Sequence, residues 1–167
     1  MRSKTAVWFE TRVQYDKVQE DGAQKKVTEL YVVDALSFTE AESVITEEMK
    51  PYISGDYEIK NITPANYPDV FFSDDSQDDK WYKAKLAFIT IDEKTEKEKR
   101  SIVRYLVQAR STDTAQQAIN DVMSKSMIDY ETASICETKI LGVFEHSAGK
   151  SNNSSSKSSS KPIDEYE

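Results

Sequence analysis

Two tryptophans and four basic residues have the types and the spacing that contact with nucleic-acid bases and phosphates requires. They alternate within two segments of the sequence, and residues two or four apart share one face of an extended strand. Each face would therefore place an aromatic ring beside a cation, which predicts stacking on bases and contact with phosphates. The candidate residues are Trp8 and Arg12 in one segment, and Trp81, Lys83, Lys85 and Arg104 in the other.

The groups that carry catalysis or bind metals are scarce. His146 is the only histidine and Cys136 the only cysteine, so no nucleophilic triad or zinc set can be assembled. We expect a solvated His146 and a packed Cys136 thiol. The acidic pairs within 73–79 lack the ligand spacing and central glycine of a calcium loop, so we interpret them as a solvated linker. The sequence thus predicts no enzyme, no metal and no cofactor.

The chain contains two similar segments, which predicts an internal duplication. The first segment is 5–72 and the second is 80–146, joined by the acidic linker 73–79. The offset is 74 in the middle of the segments and 73 at their ends. Matched pairs include Trp8/Trp81, Tyr31/Tyr105, Ser37/Ser111, Ile45/Ile119, Met49/Met123, Ile62/Ile135 and Phe71/Phe144.

Each segment has the pattern of a β-β-α-β unit. Period-two alternation predicts two strands joined as a hairpin, and helical spacing of apolar residues predicts a helix near 38–50 and another near 112–126. A third strand is expected around 56–63 and 130–141. Hairpins imply antiparallel sheets, and two short helices must each pack on a sheet. The predicted fold class is α+β.

The tail at 147–167 differs from the rest of the chain. Its serine-rich composition cannot offset the entropy of ordering, so we expect it to be disordered. It closes with an acidic tip that contains two apolar anchors, a layout that suits recruitment of protein partners. The tip residues are Ile163, Asp164, Glu165, Tyr166 and Glu167.

Charge and composition restrict the function further. The formal net charge is −8, and the tail holds three lysines and three acidic residues, so the excess of acid belongs to the body. This argues against a protein that coats nucleic acid through bulk charge, although a local basic stripe is compatible with it. No apolar run is long enough to cross a bilayer, no signal peptide precedes the first strand, and a single cysteine suits a reducing compartment. We expect a cytoplasmic protein with no membrane partner.

The run VVDALSFTEAE, followed by EEMKPYISG and preceded by WFETRVQYDKV, resembles an uncharacterised family of small proteins from Bacteroides-type bacteria and their phages. The resemblance extends from about Val7 to Phe144. It implies no activity, because the family has none assigned. The layout of the tail resembles that of single-stranded DNA-binding proteins, although no terminal Phe follows Tyr166.

Three functions stay open at this point. The first is a non-enzymatic protein that binds single-stranded nucleic acid and recruits partners through its tail. The second is a protein-interaction or assembly module, such as a phage accessory adaptor, that binds no nucleic acid. The third is an enzyme that acts through carboxylates alone, which we rank last because no acid and base pair can be identified.

Overall fold

The computed structural model describes residues 2–145, and this part of the chain forms nine strands and two helices. The predicted α+β class is therefore confirmed. In chain order the elements are β1 (Arg2–Lys4), β2 (Trp8–Val18), β3 (Gln24–Asp34), α1 (Phe38–Met49), β4 (Tyr57–Ala65), β5 (Val70–Phe72), β6 (Lys80–Ile91), β7 (Glu98–Ala109), α2 (Thr112–Met123), β8 (Asp129–Glu137) and β9 (Ile140–Phe144).

The strands form two sheets that are mainly antiparallel. The first sheet has the order β4-β2-β3-β9, and the second has the order β1-β5-β7-β6-β8. Each sheet contains one long hairpin, formed by β2 with β3 in the first sheet and by β6 with β7 in the second. The two strands of each hairpin pair in register over their whole length. Two pairs are parallel, β3 with β9 and β5 with β7.

The two segments exchange their last strands. β5 belongs to the first segment but pairs with β7, whereas β9 belongs to the second but pairs with β3. Aromatic pairs accompany both exchanges: Tyr31 stacks on Phe144 at 5.5 Å, and Tyr105 stacks on Phe71 at 4.9 Å between ring centroids. Each sheet therefore contains strands from both 5–72 and 80–146.

This exchange corrects the predicted third strand of the second unit. The expected strand at 130–141 is wrong in its extent, because it divides into β8 and β9. At Thr138 and Lys139 the chain leaves one sheet and enters the other. The unit is thus β-β-α-β-β, with its last strand in the opposite sheet. The two sheets share the order of corresponding elements, while the duplication itself stays an inference from the sequence.

Serine caps begin both helices, as the sequence predicts. Ser37 accepts a hydrogen bond from the backbone N–H of Glu40, and Ser111 accepts one from Thr114. The spacing Ser37-x-x-Glu40 is that of a capping box and predicts a bond from the N–H of Ser37 to Glu40, but the Glu40 carboxylate accepts from the N–H of Leu36 instead. In the second helix Thr114 completes the capping box.

Three apolar clusters hold the layers together. One lies between α1 and the first sheet, and another lies between α2 and the second sheet. The third joins the two sheets through the faces turned away from the helices, so the order of layers is helix, sheet, sheet, helix. Neither helix in the described part is long and apolar enough to cross a membrane. The cluster between the sheets contains Trp8, Val32, Tyr67, Val70, Phe72, Trp81, Leu106 and Ile140.

The linker at 73–79 is attached to the second unit rather than freely solvated. The Arg110 guanidinium, at the start of α2, donates to the side chains of Asp75, Gln77 and Asp78. Ser73 also donates to Asp78 within the linker. These bonds fix the connection between β5 and β6, while residues 74–77 and 79 are exposed to solvent.

Candidate nucleic-acid interface

Three of the predicted cations share one face of the second sheet. Here the inner face of a sheet means the face turned away from its helix. Alternate residues of β6 pack on α2, so Lys83 and Lys85 project from the inner face. Arg104 is the direct cross-strand partner of Lys85. Lys83 and Arg104 are exposed and Lys85 is half-buried, which leaves all three charges in reach of a ligand.

The fourth predicted cation lies on the inner face of the first sheet. Arg12 is exposed and pairs across the strands with Leu30. A β-bulge follows Arg12 in the pairing of β2 with β4, and another follows Lys85 in the pairing of β6 with β8. Bulges change the direction of side chains and are frequent beside functional sites.

Lys139 joins Arg12, and the sequence analysis missed it. Both line a cleft of about 270 Å³ together with Thr28, Glu29 and Leu30. Lys139 lies in the short connection between β8 and β9, where the N–H and hydroxyl of Thr138 both donate to the backbone carbonyl of Trp81. No local signal marks it, because its place depends on the exchange of β9 between sheets.

These five cations differ from most other basic residues in the described part, which have carboxylate partners. Arg2 pairs with Glu145, Lys80 with Glu137, and Arg100 with Glu131, for example. No carboxylate among residues 2–145 lies within ion-pair distance of the inner-face cations. These five cations therefore lack an ion pair within residues 2–145, in a protein of net charge −8. The five inner-face cations are Arg12, Lys83, Lys85, Arg104 and Lys139.

The prediction of accessible tryptophans is wrong. Trp8 and Trp81 are on the inner faces, as the alternation indicates, but they are only 1% and 4% exposed. Both pack on Phe72, with ring centroids 6.4 Å and 5.6 Å from it. The inner faces of the two sheets cover each other at this point, so the apolar rings are buried there. Neither ring can stack on a base while the sheets stay together.

Tyr67 occupies the junction between the packed tryptophans and the cations, and the sequence analysis missed it as well. Its hydroxyl donates to Glu10 at 2.8 Å, and the Lys83 ammonium lies 5.7 Å from the centre of its ring. Burial, followed by the bond to Glu10, raises the pKa of Tyr67 above its ordinary value. The phenol thus stays protonated and engages the Glu10 carboxylate, an acidic group on the same face as Arg12.

The remaining candidate groups do not form a reactive site. Cys136 is exposed, so the prediction of a packed thiol is wrong. It lies on β8, an edge strand of the second sheet, and its cross-strand partner is Lys83 of β6. Within residues 2–145, no three histidine, cysteine or acidic side chains are placed to hold a metal ion. His146 and the tail residues Ile163 to Glu167 lie outside the described residues.

The structure thus forms two groups of cations rather than one. Lys83, Lys85 and Arg104 lie together on the second sheet, and Arg12 lies with Lys139 at the first. Exposed, unpaired guanidinium and ammonium groups bind oxyanions such as phosphate, with arginine able to donate two bonds at once. In the described part of the chain no exposed aromatic ring adjoins them on either inner face, so the chemistry available there is phosphate contact without stacking.

Comparisons with known proteins agree with the family resemblance and add no activity. No curated protein and no solved structure gives a significant match to the chain. A family model does match, and it covers the whole span from Val7 to Phe144 over which the resemblance extends. Residues 7–146 match the model described as Domain of unknown function (DUF4494), and the chain therefore belongs to that family.

Proposed function

We propose that this protein is a non-enzymatic binding protein for single-stranded nucleic acid, and that its inner-face cations contact the phosphate backbone. One observation carries the proposal: Lys85 and Arg104 are direct cross-strand partners, and neither forms an ion pair with a carboxylate of residues 2–145. Like charges in that position destabilise a sheet. An anionic ligand removes this repulsion. Ligand binding therefore explains a pair of like charges that the stability of the fold does not explain.

The mode of binding differs from the one that the sequence suggested. Trp8 and Trp81 support the site by holding the two sheets together, and they do not touch the ligand. Phosphate contacts carry no sequence information, so binding is independent of base sequence and strongly dependent on salt. The acidic remainder of the surface repels nucleic acid, which confines contact to the inner faces.

The proposal also gives the protein a setting. A single-strand binder of this kind would act in DNA replication, in the cytoplasm of a bacterial cell or a phage-infected host. The acidic tip at Ile163–Glu167 would recruit protein partners while the inner faces hold the strand. A separate site for partners suits an adaptor that links a nucleic acid to other proteins.

Fluorescence anisotropy with a labelled single-stranded oligonucleotide tests the proposal. We expect binding at low salt, with log K falling linearly against log salt by about 0.7 for each phosphate contacted. A duplex of the same sequence is the comparison, and binding of the duplex alone would contradict the proposal. Absence of binding at the lowest salt concentration would disprove the proposal.

A second candidate function rests on a different surface. Three large apolar side chains are exposed together where α1 begins: Val7 at 52%, Leu36 at 84% and Phe38 at 54%. The Val7 carbonyl accepts a hydrogen bond from Ala35, which holds the two chain segments side by side. Exposed apolar groups that adjoin one another indicate protein contact. If no oligonucleotide binds, we propose an interaction or assembly module that uses this end of the molecule.

A further inference from the structure

The cleft between Arg12 and Lys139 has the features of a site for a small anion. We propose that it binds the phosphate monoester of a nucleotide, with the sugar and base against Leu30. This inference deepens the proposed function, because it assigns a nucleotide subsite to one of the two groups of cations. The cleft, at about 270 Å³, is of a size for one nucleotide rather than a length of strand.

Three donors face the cleft. Arg12 and Lys139 supply a guanidinium and an ammonium group, neither of which has a carboxylate partner among residues 2–145. The hydroxyl of Thr28 already accepts a hydrogen bond from the Gln14 amide at 3.2 Å, so its own hydrogen remains available to donate. Two cations and a hydroxyl match the oxygens of a phosphate monoester, whose charge near neutral pH approaches −2.

The one acidic residue in the wall of the cleft, Glu29, directs its side chain to the opposite face of the sheet, because it pairs with Val13, which packs on α1. Glu29 accepts hydrogen bonds from the hydroxyls of Tyr15 at 2.8 Å and Tyr31 at 3.0 Å. Its second oxygen lies 3.7 Å from the Lys17 ammonium. These three partners draw the negative charge away from the cleft, so Glu29 opposes an incoming phosphate only weakly.

The backbone on both sides of the cleft is fixed before any ligand arrives. Thr138 is bonded to the Trp81 carbonyl, and its hydroxyl in turn accepts from the N–H of Ile140 at 3.2 Å. Ile140 is buried in the cluster between the sheets. On the opposite wall, Arg12 is held in the unbroken ladder of β2 with β3, where Leu30 is its cross-strand partner. A fixed site loses little entropy on binding, which favours a small ligand.

The corresponding place in the second sheet is different. The residues that match Arg12, Thr28 and Leu30 there are Lys85, Ile102 and Arg104, and Asn66 matches Lys139. That place has an isoleucine instead of a hydroxyl donor and no apolar floor between its cations. We therefore expect a single nucleotide subsite, at the first sheet alone.

Nuclear magnetic resonance titration of the full chain with thymidine monophosphate tests the assignment. We expect the amide signals of Arg12, Thr28 and Lys139 to shift, with a dissociation constant of about 1 mM or tighter. Thymidine without phosphate should leave these signals in place. The double variant Arg12→Gln, Lys139→Gln should weaken binding about tenfold for each cation removed. Lys94→Gln, Lys97→Gln is the matched control, since it removes the same charge from the exposed β6–β7 loop.

Each outcome of the titration either supports or overturns the nucleotide assignment. Shifts at the cleft that the double variant abolishes and the control variant preserves support the inference. Inorganic phosphate that shifts the same signals as strongly as thymidine monophosphate would reduce the site to a simple anion site and overturn the nucleotide assignment. Absence of shifts overturns it as well. If oligonucleotides still bind through Lys83, Lys85 and Arg104 in that case, the inference fails and the proposed function stands. If thymidine monophosphate binds but oligonucleotides do not, the inference stands and the proposed function fails.

Discussion

Lys85 and Arg104 lie directly opposite each other on neighbouring strands of the second sheet, with Ser134 on the far side of Lys85. This row of cross-strand partners therefore contains two positive charges and a neutral hydroxyl. A sheet that served only stability would place an acidic residue at one of these positions, as it does where Arg100 meets Glu131 on the same face. Under the proposed function, a bound anion relieves this repulsion.

Replacement of Arg104 by glutamine should stabilise the protein and weaken oligonucleotide binding at the same time. Removing the like-charge pair should raise the free energy of unfolding by about 0.2–1 kcal/mol. Urea unfolding gives the stability and anisotropy gives the binding. Arg100→Gln is the control, and it should not stabilise the protein because it leaves Glu131 without its partner. A loss of stability in Arg104→Gln would contradict our interpretation of the pair.

The tryptophans should behave as core residues. Trp8→Ala or Trp81→Ala should lower the free energy of unfolding by about 3–5 kcal/mol, since either change opens a cavity between the sheets. Trp8→Phe should cost less, because the buried indole N–H has no hydrogen-bond partner among the described residues. Acrylamide should quench the fluorescence of the folded protein weakly. Efficient quenching, or alanine variants of normal stability, would show that the rings are accessible.

Separation of the chain within the linker should produce fragments that fold only together. Each sheet is incomplete without the other fragment: the first sheet lacks β9, and the second lacks β1 and β5. We expect fragments 1–75 and 76–167 to be unfolded alone by circular dichroism and to form a one-to-one complex when mixed. Cooperative unfolding of either fragment by itself would be inconsistent with the exchange of strands.

Stability should fall at high pH through Tyr15. Burial, followed by the hydrogen bond to Glu29, raises the pKa of Tyr15 from 10.0 to about 12. A raised pKa means that the folded state holds the proton more tightly than the unfolded state. The stabilisation is complete below pH 10 and is lost as the pH rises towards 12. Unfolding in urea at several pH values measures this, and Tyr15→Phe should flatten the decline. An equal decline in that variant would exclude Tyr15 as a contributor.

Much of the fold could be predicted from the sequence because local patterns determine it. Alternation assigns Phe9 to one face of β2 and Trp8 to the other, and Ser37 and Ser111 mark where the helices begin. The strand exchange could not be predicted. Val70-Phe71 and Val143-Phe144 have the same pattern whether they pair within their own unit or across to the other.

The same difference between local pattern and tertiary packing explains which residues of the candidate site could be predicted from the sequence. Arg12, Lys83, Lys85 and Arg104 follow from alternation along single strands. The burial of Trp8 and Trp81 depends on how the two sheets pack, which no period in the sequence specifies. Lys139 and Tyr67 lie in connections that cross between sheets, so their roles emerge only from the tertiary structure.

The most direct test of the central claim compares two double variants that remove the same charge. Lys83→Ala, Lys85→Ala changes the inner face, and Lys94→Ala, Lys97→Ala changes the exposed loop between β6 and β7. Anisotropy titrations across a salt series give the slope of log K against log salt for each protein. We predict that the inner-face variant loses about 0.7 from the slope for each phosphate contact removed, while the loop variant keeps the slope of the unmodified protein. Equal slopes in the two variants would contradict the claim that the inner face binds nucleic acid.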